Sequence, residues 1–234
     1  MRDRLVACFW SGDTLRSRSV GPVVLHGQVA IPAAPPRLVA DWARDCRDLE
    51  PGDVEPLSLP RARTRWPGYR QSVQAAADWV CAQGLPASLL AASDVALMAC
   101  RGARFHHDAN QYGHAAFCNL FLGEEQGLDV VFPATAQRIA LVRGTVLLFD
   151  TGQPHALLPH GRQAYDALDF GPTRTVEFLS WELSIEDAAV ARALDVRFDV
   201  EPATAARLQE GQLLVDGQPA ALCPSSGAWQ QRPA

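Results

Sequence analysis

The sequence predicts a mainly β fold with flanking helices, and three observations lead to this prediction. Between residues 94 and 183, short segments rich in β-forming residues follow one another, separated by Gly, Pro or polar turns. Two earlier stretches carry apolar residues at helical spacing, and the chain begins with short apolar runs broken by Gly and Pro. This order indicates an antiparallel sandwich or jelly-roll core with N-terminal support helices laid outside it.

The first third of the chain supplies the predicted support helices. Residues 1 to about 32 contain two strand-like runs, RLVACFW and GPVVLHGQVAIP. A helix is predicted in PPRLVADWARDCRDL, with Pro36 near its start, and a second in QSVQAAADWVCAQGLP, ended by Gly84 and Pro86. The intervening EPGDVEPLSLPRARTRWPGYR holds four prolines and two glycines, so we expect a long loop or lid there.

The predicted core is followed by an extension. After Ser184, IEDAAVARAL has helical spacing, VDGQ is typical of a hairpin turn, and the last ten residues are expected to be loosely held. We therefore expect one domain, with a cover at 1–93, a core at 94–183 and an extension at 184–234. The core segments are DVALMACRGARF, HAAFCNLFLG, LDVVFP, RIALVRGTVLLFD, HALLP, AYDALDF and RTVEFLSWEL.

Composition excludes several classes of function. A chain of 234 residues with 48% hydrophobic residues is long enough to bury one sizeable core. Its net charge of −5 argues against a protein that wraps nucleic acid. All 21 basic residues are arginine, so a Schiff-base lysine and a phosphate-loop lysine are both excluded. An anionic ligand held by a side-chain cation must therefore be held by Arg or by protonated His.

The six cysteines form no C-x-x-C pair and are expected to be small buried hydrophobic residues. The N-terminal apolar run of six residues is too short for the core of a signal peptide, and no stretch approaches membrane-spanning length. The expected setting is the cytoplasm. Oligomeric state is not readable from these features.

One short stretch, RFHHDANQYG at residues 104–113, gathers two histidines and a carboxylate. In a strand, residues i and i+2 point to the same face, so His106 and Asp108 are predicted to face a common point while His107 faces away. A third ligand is expected from His155, which lies 47 residues after Asp108 and follows the apolar run TVLLF. Two histidines and one carboxylate are the facial set of non-heme Fe(II) oxygenases.

With this set, the segments AAFCNLFLGEEQGLDVVFP and VRGTVLLFD…PH resemble the Fe(II)/2-oxoglutarate-dependent dioxygenases, whose core is a double-stranded β-helix. The resemblance covers residues 94–183. It implies that His106, Asp108 and His155 bind Fe(II) and are the catalytic residues, with 2-oxoglutarate and O₂ as cosubstrates. It also implies that 2-oxoglutarate is converted to succinate and CO₂ while a C–H bond is hydroxylated.

The resemblance further implies a cation for the far carboxylate of 2-oxoglutarate, and here it must be an arginine. Two candidates compete, Arg174 in GPTRTVEFLSWEL and Arg162 in PHGRQAY. We favour Arg174, because the start of a strand aims a side chain into the barrel whereas a turn residue usually faces water. Asn119 is a further candidate for the pocket interior.

Three functions remain open at this point. The first is a hydroxylase acting on a small molecule or on an amino-acid side chain, free or in a peptide. The second is a metal-binding jelly-roll protein that senses a ligand without turnover, and the third is a Zn-dependent hydrolase that uses the same ligands. Residues 61–70, with four arginines, could grip an anionic substrate, but we prefer to interpret them as a solvated basic loop.

Overall fold

The computed structural model of the chain describes residues 5–171, 174–200 and 213–231. Eight strands from Asp94 to Ser184 form the core. They are β5 (Asp94–Cys100), β6 (Ala103–His106), β7 (Ala115–Phe121), β8 (Leu128–Phe132), β9 (Gln137–Ala140), β10 (Thr145–Asp150), β11 (His155–Pro159) and β12 (Val176–Ser184).

These strands form two facing antiparallel sheets. One contains the order β10-β7-β12-β5, and the other has the order β6-β11-β8-β9. Strands distant in sequence are therefore neighbours in space, which is the double-stranded β-helix arrangement, and the predicted fold class is confirmed. The segment AYDALDF is the exception among the predicted core strands, because it contains a 3₁₀ turn at Ala167–Asp169.

The first sheet is extended at both edges by β3 (Leu25–Gln28), beside β10, and β4 (Val54–Leu57), beside β5. Gly144 shows why the turn before β10 needs glycine. Its φ is +88°, and a side chain there would collide with the carbonyl oxygen of Val29, the residue that follows β3.

Within the described ranges, five helices surround the core: α1 (Pro36–Asp45), α2 (Leu59–Arg65), α3 (Tyr69–Ala82), α4 (Ala109–Tyr112) and α5 (Ala188–Ala193). The predicted helices at α1, α3 and α5 are confirmed. Their apolar faces cover the outer side of the first sheet, where Trp42, Trp66 and Trp181 belong to one buried cluster. A second apolar cluster fills the space between the two sheets and includes Phe121, Phe132 and Phe149.

The prediction of a long loop or lid at residues 50–70 is wrong. This segment forms β4, α2 and the start of α3. Pro60 lies in the first turn of α2, where its missing N–H costs nothing. On the same helix, Arg61 and Arg65 form ion pairs with Asp45 and Asp41 of α1 at 2.6 and 2.8 Å, so the basic stretch ties two helices together.

A five-stranded sheet joins the two ends of the chain, in the order β15-β14-β13-β1-β2. Its strands are β1 (Leu5–Ser11), β2 (Thr14–Ser19), β13 (Leu213–Val215), β14 (Gln218–Leu222) and β15 (Trp229–Gln231). The predicted hairpin turn is confirmed, since Asp216 and Gly217 both have positive φ between β13 and β14. The expectation of a loosely held tail is wrong for β15, which pairs with β14, and residues 232–234 lie outside the described part.

All six cysteines are free, and four of them are buried: Cys8, Cys46, Cys100 and Cys118. Cys81 is exposed and Cys223 is half-buried, so the expectation of burial is wrong for these two. No helix within the described residues is long and apolar enough to cross a bilayer.

Candidate metal centre

Two neighbouring strands bring the distant histidines together. β6 and β11 pair antiparallel, with His155 directly opposite His106, and their ring centroids lie 4.3 Å apart. Cross-strand partners in an antiparallel pair have side chains on the same face of the sheet. Because His106 ends β6 and His155 begins β11, both rings lie at one end of the barrel.

Backbone carbonyl groups fix the orientation of both rings. His106 Nδ1 lies 2.7 Å from the carbonyl oxygen of Arg104, and His155 Nδ1 lies 2.9 Å from that of Gln153. A carbonyl oxygen can only accept a hydrogen bond, so Nδ1 must carry the proton in each ring. The Nε2 lone pair is then free to bind a metal, as is usual for metal-ligating histidines.

Asp108 completes the set from the loop between β6 and α4. Its Oδ1 lies 3.5 Å from Nε2 of His106, and its Oδ2 lies 3.5 Å from Nε2 of His155. Its backbone N–H donates to the carbonyl of Thr151 at 2.8 Å, which links its loop to the loop that leads into His155. The three ligand atoms lie within 4.8 Å of one another, so a single ion between them could contact all three.

Burial sets the protonation state of His155. Loss of hydration and, to a smaller extent, the proximity of His106 lower its pKa to about 4, and Asp108 opposes this only in part. Rings of Phe149 and Phe132 pack against it at 5.0 and 5.9 Å. His155 is therefore neutral near pH 7, the form that binds a metal.

His107 has a different environment. It does not line the cavity beside the triad, and burial lowers the pKa of its ring. Its Nδ1 is buried and has no hydrogen-bond partner among the described residues. His106 at the end of β6 and His107 directly after it thus have distinct surroundings.

A cavity of about 410 Å³ extends from the triad between the two sheets. Its walls are mostly apolar and aromatic, and a few polar groups lie among them. Asn119, the pocket candidate from the sequence, lines it, and so does Tyr112. The polar lining residues are Asp94, His106, Asp108, Gln111, Tyr112, Asn119, His155, Ser180 and Glu182.

Neither predicted arginine is among the residues that line this cavity. Arg162 is exposed after β11 and forms an ion pair with Asp169 at 2.7 Å. Arg174 is half-buried two residues before β12, and its Nη1 donates to the carbonyl of Asp169 at 2.7 Å. Alternate residues of β12 from Val176 onward line the cavity. Arg174 lies two residues before Val176 and therefore continues this alternation, although it does not itself line the cavity. The anchoring role of either arginine stays a prediction.

Sequence reasoning missed a buried ion pair behind the triad. The guanidinium of Arg18, on β2, contacts both carboxylate oxygens of Asp150 at 2.5 and 2.8 Å, and both side chains are fully buried. Arg18 Nε also donates to the carbonyl of Gly113 at 2.9 Å, and the N–H of Gly152 donates to Asp150 at 2.7 Å. The signal in the sequence was a carboxylate directly after the apolar run TVLLF, because a buried charge requires a partner.

Comparison with known proteins gives structural likeness only. No family model and no curated protein matches the chain. A viral collagen prolyl hydroxylase from Paramecium bursaria Chlorella virus-1 is 12% identical, with a TM-score of 0.39, over 62% of this chain and 87% of that one.

Two further structures are similar at the same level. A 2OG-Fe(II) oxygenase-family oxidoreductase from Burkholderia pseudomallei is 12% identical, with a TM-score of 0.37, over 71% of this chain and 86% of that one. The α-ketoglutarate-dependent carbocyclase SnoK of nogalamycin biosynthesis is 11% identical, with a TM-score of 0.37, over 83% and 89% of the two chains.

At these identities and TM-scores, assignment of chemistry rests on the triad and the strand order of this chain itself. The eight core strands, the pairing of His106 with His155 and the position of Asp108 are all features of the described residues. In its strand order and in its His-x-Asp…His site, the chain resembles the Fe(II)/2-oxoglutarate-dependent dioxygenases, as its sequence predicts.

Proposed function

We propose that the protein is an Fe(II)- and 2-oxoglutarate-dependent oxygenase that hydroxylates a C–H bond of a small molecule or of an amino-acid side chain. One observation carries the proposal. His106 and His155, each with Nδ1 held by a backbone carbonyl, direct Nε2 toward Asp108 at the end of a largely apolar cavity.

The triad would hold the iron. Two histidines and one carboxylate occupy three of six positions around Fe(II) and leave three for cosubstrate and O₂. When bound, Fe(II) with 2-oxoglutarate and O₂ would supply the oxidation, yielding succinate, CO₂ and a hydroxylated product. Retention of Asp108 favours hydroxylation over halogenation, because a halide needs the position that the carboxylate fills.

The cavity walls would orient the substrate and exclude water. Phe117, Phe149 and Phe178 supply apolar surface from the first sheet, and Val130 and Leu157 supply it from the second. A volume of about 410 Å³ suits a small molecule or one inserted side chain. Water excluded from such a site cannot compete for the reacting position.

The far carboxylate of 2-oxoglutarate needs an anchor, and we assign it to Arg174 rather than Arg162. Arg174 is half-buried at the β12 end of the barrel, and one of its contacts is a neutral carbonyl group. Arg162 is exposed and already paired with a carboxylate. Exchange of a carbonyl for a carboxylate partner strengthens the hydrogen bonds of a guanidinium.

One observation favours a second function. No arginine lies among the described lining residues, and a metal-binding protein that senses a ligand without turnover would need none. A Zn-dependent hydrolase is less well supported. It needs a general base beside the metal, and the remaining lining carboxylates, Asp94 and Glu182, lie on the opposite sheet from the histidines.

Anaerobic titration of apo-protein with Fe(II) and then 2-oxoglutarate separates these functions. An oxygenase is expected to develop the visible metal-to-ligand charge-transfer band of chelated 2-oxoglutarate. His155→Ala should abolish the band, Arg174→Ala should weaken it, and Arg162→Ala should leave it unchanged. Iron binding without a band would reject 2-oxoglutarate as cosubstrate and favour the ligand sensor. A band weakened only in Arg162→Ala would mean that Arg162, and not Arg174, anchors the far carboxylate.

A further inference from the structure

Two carboxylates lie side by side on the wall of the cavity. Asp94 begins β5 and Glu182 lies near the end of β12, and the two residues are direct cross-strand partners. Both line the cavity. Like charges directly opposite each other destabilise a sheet, so this pair has a cost that a bound cation would remove.

The carboxylate pair lies at the metal end of the cavity. In the register of the sheet, Glu182 is opposite Phe117 of β7, and Phe117 is opposite Phe149 of β10. The ring of Phe149 in turn contacts that of His155 at 5.0 Å. One cross-strand row therefore runs from the two carboxylates to the triad, and a ligand lying along it would meet both.

No positive side chain among the described lining residues balances this charge. Three carboxylates line the cavity, those of Asp94, Asp108 and Glu182, and Asp108 belongs to the metal site. Glu182 has one outside partner, His114, at 3.0 Å. Asp94 has neither an ion pair nor a hydrogen bond to another side chain within the described ranges. In a cleft with apolar walls, this charge creates a negative potential that attracts cations.

A buried amide in the next row also lacks a partner. Asn119 is 8% exposed and lines the cavity, and its Oδ1 has no hydrogen-bond partner among the described residues. It lies opposite Ser180, two residues from Glu182 along β12. A buried acceptor needs a donor, and an incoming N–H group would provide one.

The neighbouring aromatic rings suit the same ligand. Tyr112 and Phe117 pack edge to face at 4.9 Å between the triad and the carboxylate pair, and Phe178 lies on the same face of β12 as Glu182. Aromatic faces attract cations and also accommodate the apolar body of an amine.

We propose that the substrate is an organic amine whose protonated nitrogen binds between Asp94 and Glu182 while its apolar body lies along the Phe117 row toward the triad. The term substrate rests on the proposed function. Recognition of the ammonium group depends only on the cavity and can be measured without 2-oxoglutarate or O₂.

The test is isothermal titration calorimetry of the Zn(II)-loaded protein with two probes of similar shape, 2-phenylethylamine and 2-phenylethanol. The amine is expected to bind about tenfold more tightly than the alcohol. The preference for the amine should fall as salt concentration rises, since part of it is electrostatic.

Variants locate the effect. Asp94→Asn and Glu182→Gln should each reduce the affinity for the amine several-fold, and should leave the affinity for the alcohol unchanged. Glu124→Gln is the matched control, because it removes one negative charge from an exposed ion pair with Arg143 outside the cavity. Neither test variant should unfold more readily than wild type, since each relieves a like-charge pair.

Equal or weaker binding of the amine than of the alcohol would overturn the proposal, as would an amine preference that survives in both variants. An amine preference in a protein that gives no charge-transfer band would retain the cationic ligand and reject the oxygenase. A band without an amine preference would retain the oxygenase and reject the amine.

Discussion

At the scale of single residues, burial decides what each titratable group in the core can do. His155 is neutral because its hydration is lost, and the same effect acts on Glu177 of β12. Burial raises the pKa of the Glu177 carboxyl from its ordinary value of 4.5 to about 7. Glu177 is not among the residues that line the cavity, so its ionisation bears on stability rather than on the site.

Glu177→Gln is expected to stabilise the protein at alkaline pH. Since the folded pKa lies above the unfolded value, the folded state binds more protons between about pH 4.5 and 7. Stability from this group is fully present below about pH 4.5 and is lost as the pH rises through 7. The variant should therefore gain roughly 1–3 kcal/mol over wild type at about pH 8 and much less at about pH 5.

Thermal or urea unfolding at the two pH values measures this difference. The exposed Glu124→Gln serves as control, and it should show no gain at about pH 8 relative to about pH 5. An equal gain at both pH values for Glu177→Gln would mean that its carboxyl is not held protonated.

At the scale of elements, β2 fixes the two loops beside the candidate metal ligands. Arg18 holds the carbonyl of Gly113, after α4, and it also holds Asp150, which receives the N–H groups of Gly21 and Gly152. The carbonyl of Gln153, in the same loop, orients His155. A fully hydrogen-bonded, buried ion pair thus couples a strand of the five-stranded sheet to the geometry of the triad.

Loss of this ion pair should weaken both the fold and the metal site. Arg18→Met leaves the Asp150 carboxylate buried without its guanidinium, and a cost of about 3–5 kcal/mol is expected. Arg16→Met is the matched control on the same strand, because Arg16 pairs with the more exposed Asp199 and Glu186 and should cost about 1 kcal/mol or less.

Urea unfolding measures the first effect, and Co(II) titration followed by its visible absorption measures the second. If Arg18→Met is too unstable to purify, Asp150→Asn retains the shape and is expected to show the weaker metal binding. If a folded Arg18 or Asp150 variant binds Co(II) with the affinity of wild type, the ion pair does not contribute to metal binding.

At the scale of the whole molecule, the candidate metal centre gathers ligands from separate segments of the chain. His106 and His155 come from β6 and β11, whereas Asp108 precedes α4, whose contacts include β1 of the five-stranded sheet. A metal ion that binds all three is expected to stabilise the folded protein, because unfolded chain does not present the site.

Addition of Zn(II) should therefore raise the unfolding temperature. At a free metal concentration 100-fold above the dissociation constant, the stabilisation is about 2.7 kcal/mol. Asp108→Ala should abolish the increase, and Asn110→Ala, an exposed neighbour that does not line the cavity, should retain it. An increase of equal size in Asp108→Ala would place the stabilising metal elsewhere.

Sequence by itself determined the local features. The His-x-Asp pattern identified His106 and Asp108, although Asp108 lies in the loop after β6 and not in the strand itself. Apolar spacing located α1 and α3, and turn residues separated the core strands. These signals lie within a few residues of each other, so no knowledge of the fold was needed to read them. The spacing to His155 added the third candidate ligand.

Only the tertiary structure decided what depends on pairing between distant segments. It placed β1 beside β13, Arg18 against Asp150 and Asp94 opposite Glu182, and it left Arg162 and Arg174 outside the cavity lining. A one-residue change of register would turn all the side chains of a strand to the other face of its sheet. Register is set by the sum of packing across the core, and no single stretch of sequence contains that information.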